Sequence, residues 1–144
     1  MTVDLIENDA YAAYCRATVV DAGAERAVVQ QPPDPEVDNH VKVRHASALY
    51  AAAYEAARQL VLAALGERAA SADVRLADSE IAYKQVGLGV ITSSAAADGP
   101  GWDTIAADLD AGGEVQLDCT VDSVDPGGKT VVTLTTRWAI SRRR

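Results

Sequence analysis

Phenylalanine is absent from this 144-residue chain, methionine occurs once, and aromatic residues make up 5% of it. With so few large rings, the 49% hydrophobic content rests on Ala, Val, Leu and Ile, which favours close packing of a helix on its neighbours. Cysteine is scarce too: Cys15 and Cys119 stand far apart, with no metal-ligand spacing and no His cluster beside them. That excludes a disulfide framework and fits reduced, structural thiols in a cytoplasmic protein. Positive charge is also short. Thirteen Lys and Arg against 21 Asp and Glu leave a net charge of −8, which excludes broad nucleic-acid binding, because a phosphate backbone needs a basic footprint. The one basic run, Arg142-Arg143-Arg144, reads as a solvated tail over 141–144.

Other signals are missing as well. No apolar run is long enough to span a bilayer once Glu55, Arg58 and Gln59 are counted, so no membrane is expected as a partner. Met1-Thr2-Val3-Asp4 lacks the basic-then-apolar order of a signal peptide. There is no G-x-S-x-G nucleophile elbow. His40 and His45 with scattered carboxylates make no metal site, so neither a metal nor a cofactor is expected.

What is present reads as one domain over 1–144, long enough to bury a core. Residues 5–16 suggest a short N-terminal helix within 1–15, with Asn8 or Asp9 as its cap and Tyr11, Tyr14 and Cys15 at helical spacing. Thr18-Val19-Val20 and Ala27-Val28-Val29 suggest a first strand with a bend or turn near Gly23, ended by three prolines within 32–35. Residues 73–86 read as a strand whose apolar positions Val74, Leu76, Ile81 and Tyr83 do not share one phase, which predicts a bulge near 77–79. A third strand follows over 90–97. Residues 102–109 fit either a helical turn or a loop. Residues 114–124 alternate apolar and polar, Asp125-Pro126-Gly127-Gly128 makes a turn, and 129–140 returns as a Thr- and Val-rich strand.

The organising stretch is Asp38-Asn39-His40-Val41-Lys42-Val43-Arg44-His45 and the helix it opens, Ala46 to Leu65, which Gly66 is placed to stop. A helix apolar nearly all round belongs at the centre of a fold. Ser47, Tyr50, Tyr54 and Arg58 nonetheless form a polar stripe at helical spacing, and such a stripe asks for a pocket or a partner. Each residue also has a plainer role open to it. Asn39 can brace its loop and His45 can cap the helix. Glu55 stands at pairing distance from Arg58 and Gln59, and the tyrosines can be core or interface rings. The order of elements implies an α+β architecture, an antiparallel sheet curled round the long helix. A sheet face of that size calls for a second copy to complete its burial.

This order resembles the hotdog fold, and the local pattern narrows it. Many hotdog thioesterases, the phenylacetate-pathway type among them, carry Asn, five residues, then His and small residues that start the central helix. Here these are Asn39, His45, Ala46 and Ser47, continued by Ala48-Leu49-Tyr50. Glu80-Ile81-Ala82-Tyr83-Lys84, Gly89-Val90-Ile91-Thr92 and Trp138-Ala139-Ile140 are similar to the family's strands, so the resemblance covers about residues 16–141. It implies an acyl-CoA or acyl-carrier thioester as substrate or ligand, and a homodimer or a dimer of dimers. It places Asn39, His45 and either Tyr54 or Glu55 as catalytic candidates, with Ala46, Ser47, Tyr50 and Arg58 at the substrate. The amides of Ala46 and Ser47 would polarise the thioester carbonyl. The sequence departs from the family at two points: Ala46-Ser47 replace the pair of glycines that commonly follows the His, and the position nine residues after the His, usually Asp or Glu, is Tyr54, with the carboxylate Glu55 following it. One residue is about 100° of helix rotation, so the two cannot face the same spot. A non-catalytic module that binds an acyl or other apolar ligand is the alternative.

Overall fold

The computed structural model describes residues 10–99 and 102–143, with Trp102 and Asp103 described by backbone alone. Asn8, Asp9 and Arg144 lie outside the described residues. Helix α1 spans Ala10–Tyr14. Where one strand with a bend or turn is expected, two form: β1 (Thr18–Ala22) and β2 (Ala27–Gln31), an antiparallel hairpin. The Gly23 N–H donates to the Arg26 carbonyl at 2.9 Å and closes the turn, so the chain reverses there.

Helix α2 covers Ala46–Leu65, with 14 of its 20 residues buried, which sets it at the centre of the fold. Gly66, at φ +56°, does not release the chain but turns it into a 3-10 segment, Gly66–Ser71. Next come β3 (Ala72–Tyr83), β4 (Ile91–Asp98), α3 (Trp102–Asp110), β5 (Val115–Val124) and β6 (Thr130–Arg142). The six strands make one antiparallel sheet in the order β1-β2-β4-β5-β6-β3. Strands β1, β2, β4, β5 and β6 all touch α2, so the sheet wraps it. This is the hotdog fold.

Period-two patterning explains most of the sheet. Val115, Leu117, Cys119, Val121 and Ser123 of β5 are buried in alternation, and β6 opposes them with Leu134, Thr136, Trp138 and Ile140. In β3 the register shifts between Leu76 and Asp78. The extra residue returns Ser79 and Ile81 to the half-buried face held by Val74 and Leu76. Residues 102–110 are helical because Ile105 and Leu109 reach the core one turn apart. The basic end is ordered through 143: β6 continues to Arg142, and the Arg143 side chain bonds Asp73 and the Ala70 and Ala72 carbonyls. Among the described residues no helix is long and apolar enough to cross a membrane.

One buried guanidinium ties this frame together. Arg44 is 3% exposed. Its Nη1 donates to Gln31 Oε1 at 2.7 Å and to the Gln31 carbonyl at 3.3 Å, its Nη2 to the Gly89 carbonyl at 2.6 Å, and its Nε to Asp38 Oδ1 at 3.3 Å. Gln31, fully buried, passes the link on through Nε2 to the Cys15 and Ala48 carbonyls, both at 2.9 Å. Burial pulls the guanidinium's pKa down, opposed by the Asp38 carboxylate, but an Arg stays charged at any physiological pH. Every partner here is an acceptor that an apolar side chain would orphan. Arg44→Leu is therefore expected to cost about 3–5 kcal/mol in urea unfolding. Arg44→Lys should recover only part of that, because one ammonium cannot span the fork of acceptors.

Candidate functional site

The segment 37–45 is a tight loop with its own ladder. Asp38 and Arg44 form an isolated antiparallel bridge, the Asn39 N–H donates to the Val43 carbonyl at 2.8 Å, and the His45 N–H donates to Val37 at 2.9 Å. Lys42 takes a left-handed conformation, φ +64°, at the tip. Asn39 shapes that tip: its Oδ1 accepts the Val41 and Val43 amides at 3.0 and 3.3 Å, an Asx turn. His45 is the N-cap of α2, with Nδ1 accepting from the Ser47 N–H at 3.1 Å and lying 2.8 Å from Ser47 Oγ. Accepting the amide fixes Nδ1 as the unprotonated nitrogen, so a neutral ring carries its proton on Nε2.

A groove of about 340 Å³ opens beside this N-terminus, lined by Asn39, Val43, Arg44, Ala46, Leu49 and residues 83–87. Its floor is narrow because Gly87 lies against α2: a Cβ there would stand 3.1 Å from Arg44 Cβ and 3.2 Å from Leu49 Cδ2. Two residues of β3 join the helix start. The Tyr83 hydroxyl donates to the Ala46 carbonyl at 3.1 Å, and the Tyr50 hydroxyl lies 2.7 Å from Ser79 Oγ. Burial, then the neighbouring Tyr50, pushes the Tyr83 phenol's pKa up, so it is a donor at neutral pH. Tyr83, Ser79, Gln31 and the special place of Arg44 escape sequence reasoning. Tyr83, Ser79 and Gln31 sit on strands remote in sequence from the helix they serve, and for Arg44, two residues before the helix, no motif marks its burial.

The polar stripe of α2 is its least buried side. Ser47 is exposed, and Tyr50, Tyr54 and Arg58 are half-buried among helix residues that are otherwise nearly all buried. Tyr54 lines a second cavity of about 260 Å³ with Arg58, Leu62, Val74, Trp138 and Arg143. Its ring lies 5.6 Å from that of Trp138, whose indole N–H is held by Thr136 Oγ1 at 2.9 Å. Glu55 turns the other way. It is fully buried and accepts from Arg58 Nη1 at 3.0 and 3.2 Å and from Gln59 Nε2 at 3.2 Å.

The structure thus brings Asn39, His45, Ala46 and Ser47 together at one end of α2, with Tyr50 one turn on, and sets Tyr54 and Arg58 at a second opening. Eight residues of α-helix separate Ala46 from Tyr54, ~12 Å at 1.5 Å per residue, so one chain cannot apply both to one bond. The Asn39 side-chain oxygen, His45 Nδ1 and the Ser47 N–H are engaged with one another or with the loop. The Ala46 and Ala48 amides meet no protein acceptor among the described residues, as the first turn of a helix allows. Among the described residues no group of three His, Cys, Asp or Glu side chains could hold a metal.

Comparison with known proteins follows this geometry. The family described as a domain of unknown function (DUF4442) has a model that matches residues 8–140. No curated protein matches the sequence. Three solved structures are similar over nearly the whole chain. A Pseudomonas aeruginosa protein of unknown function, described as a probable thioesterase, gives a TM-score of 0.83 at 15% identity, covering 99% of this chain and 94% of its own. The PaaI protein of the E. coli phenylacetic acid degradation operon gives 0.72 at 16%, covering 95% and 93%. A variant of a Staphylococcus aureus thioesterase gives 0.75 at 10%, covering 92% and 99%. At such identities the likeness carries the fold.

The cysteines take no part in the site. Both are buried, and burial pushes the Cys119 thiol up to about 12. A thiol reagent at pH 8 is expected to find no fast-reacting cysteine in the folded protein and two after denaturation. A rapid stoichiometric reaction without denaturant would contradict this placement.

Proposed function

The chain belongs to the DUF4442 family, and on that footing we propose that it takes an acyl thioester into the groove at the start of α2 and hydrolyses it to the free acid and thiol. The observation that carries this reading is the groove itself, opening on first-turn amides of a buried helix. The Ala46 and Ala48 N–H groups and the positive end of the helix suit a carbonyl oxygen that gains charge as it is attacked. The Nε2–H of His45, beside the groove, is a further donor. The attacking oxygen comes from water, because Glu55 lies in the core under Arg58, out of reach of the bond. Loss of the thiolate leaving group then yields the acid.

A second copy completes this scheme. Tyr54 stands ~12 Å along α2 from Ala46, so its hydroxyl can orient the water only from another protomer. β3 is an edge strand of 12 residues paired on one side with β6, and a second β3 laid antiparallel along it would run two α2 helices in opposite directions. A homodimer, or a dimer of dimers, is the assembly that fits, acting on CoA or carrier-bound thioesters in the cytoplasm.

A specific observation favours a second reading, ligand binding without turnover. No carboxylate lines the groove, and the expected acceptors are spent on the loop. The two readings separate in a thiol-release assay across short, long and aryl acyl-CoAs. Turnover is expected, falling at least tenfold in Tyr54→Phe and within about threefold of wild type in Glu55→Gln, whose deficit should appear in stability instead. Thermal stabilisation by acyl-CoA with no thiol released from any member would leave only the binding module.

A further inference from the structure

We propose that the end of the molecule around the groove mouth docks an acidic carrier protein that delivers its thioester on a phosphopantetheine arm. This rests on the reading above only in supposing that a thioester enters the groove. Three segments meet there. The 39–46 loop joins the 84–90 loop through the Arg44 N–H to the Gly87 carbonyl at 2.9 Å and through Arg44 Nη2 to Gly89. The 84–90 loop joins the β5–β6 turn through the Lys84 N–H to Val131 at 2.8 Å, through Gln85 Nε2 to Thr130 at 3.2 Å, and through Gly89, where a Cβ would stand 2.9 Å from Pro126 Cγ.

All three lysines of the chain, Lys42, Lys84 and Lys129, stand on these segments, and all are exposed. No Asp or Glu occurs in 39–54, 81–97 or 126–144. Asp38, just before the first segment, is engaged with Arg44, and Asp125, just before the third, accepts the Gly127 and Lys129 amides through Oδ1. In a chain of net charge −8, the end where the groove opens is therefore cationic.

The same end is apolar. Val41 is 61% exposed, Val86 58%, Leu88 54% and Val90 40%, with Tyr83 at 48%, more aliphatic surface than an ordinary solvated face gathers in one place. That pairing selects the occupant. The phosphates of a free nucleotide would satisfy the lysines and leave the aliphatic side chains in water. An acidic helical protein surface, carboxylates around an apolar centre, covers both and is steered to the groove by charge.

The test uses a bacterial acyl carrier protein bearing an octanoyl amide on its arm, which cannot be hydrolysed, and octanoyl-CoA, each titrated onto the full chain. Carrier binding is expected to weaken at least tenfold in Lys42→Glu/Lys129→Glu and to weaken with salt. Leu88→Ser should weaken it with the salt dependence kept, while octanoyl-CoA binding stays within twofold in both variants. Equal loss of carrier and CoA binding would overturn the proposal in favour of a nucleotide-phosphate site. Sedimentation with phosphatidylglycerol vesicles, lost in the double variant and with no carrier bound, would replace it with a lipid surface. Dissociation of the wild-type oligomer by Leu88→Ser would make the patch a self-interface. Because the probe is an amide, absence of thioester turnover bears on the hydrolase reading alone. Turnover of acyl-CoA without carrier binding bears on docking alone.

Discussion

Everything at the candidate site depends on burying one guanidinium. Arg44 enters a core built largely from alanine and valine, and its desolvation is offset only because four acceptors converge on it from three parts of the chain. A buried ion pair contributes little net stability compared with a packed hydrophobe, but it discriminates sharply between arrangements. Any other docking of the 84–90 loop would separate the Gly89 carbonyl from Nη2 of the buried guanidinium. The groove at the start of α2 is the space left between two loops whose spacing Arg44 sets.

The second constraint is rotational. A helix this buried has one side left for function, and neighbouring residues on it are turned by about 100°. Tyr54 occupies the open side, its ring tilted against that of Trp138, so Glu55 must point inward. A carboxylate there is tolerable only when neutralised, and Arg58 and Gln59, one turn on, supply the positive charge and the N–H groups. The apolar helix is thus interrupted twice for opposite reasons: an outward stripe that meets openings, and an inward pair that answers its own charge.

These differences explain how far the sequence could be read. The long helix, the β5–β6 hairpin and the bulge in β3 were legible because each is a local periodicity or a local break in one: the phase conflict between Leu76 and Ile81 has no other remedy. The hairpin at Gly23 was read as a bend or turn within one strand, since both outcomes share the same residues and differ only in a long-range partner, β4. The Asn39 and His45 spacing pointed to the start of α2, where the groove opens, but spacing says nothing of where lone pairs aim. Asn39 turned its oxygen into its own loop and His45 into the helix cap. Tyr83 and Ser79 reach α2 across about thirty residues or more, and Arg44 looked like one more loop cation until its burial was known.

The capping bond of His45 also restricts what chemistry this end can host. Nδ1 has one lone pair, and the Ser47 amide claims it, so the imidazole is not poised to take a proton from water through that nitrogen. What it keeps is a donor, beside two first-turn amides and the positive end of the helix, in an end that bears lysines and no unengaged carboxylate. Every charge-bearing feature at the groove therefore favours negative charge on whatever occupies it: a carbonyl oxygen gaining charge, a departing thiolate, and an anionic carrier outside. Stabilising charge and creating a nucleophile are separate tasks. On the proposed reading, one chain of this protein serves the first, and the second is left to groups such as Tyr54 of another copy.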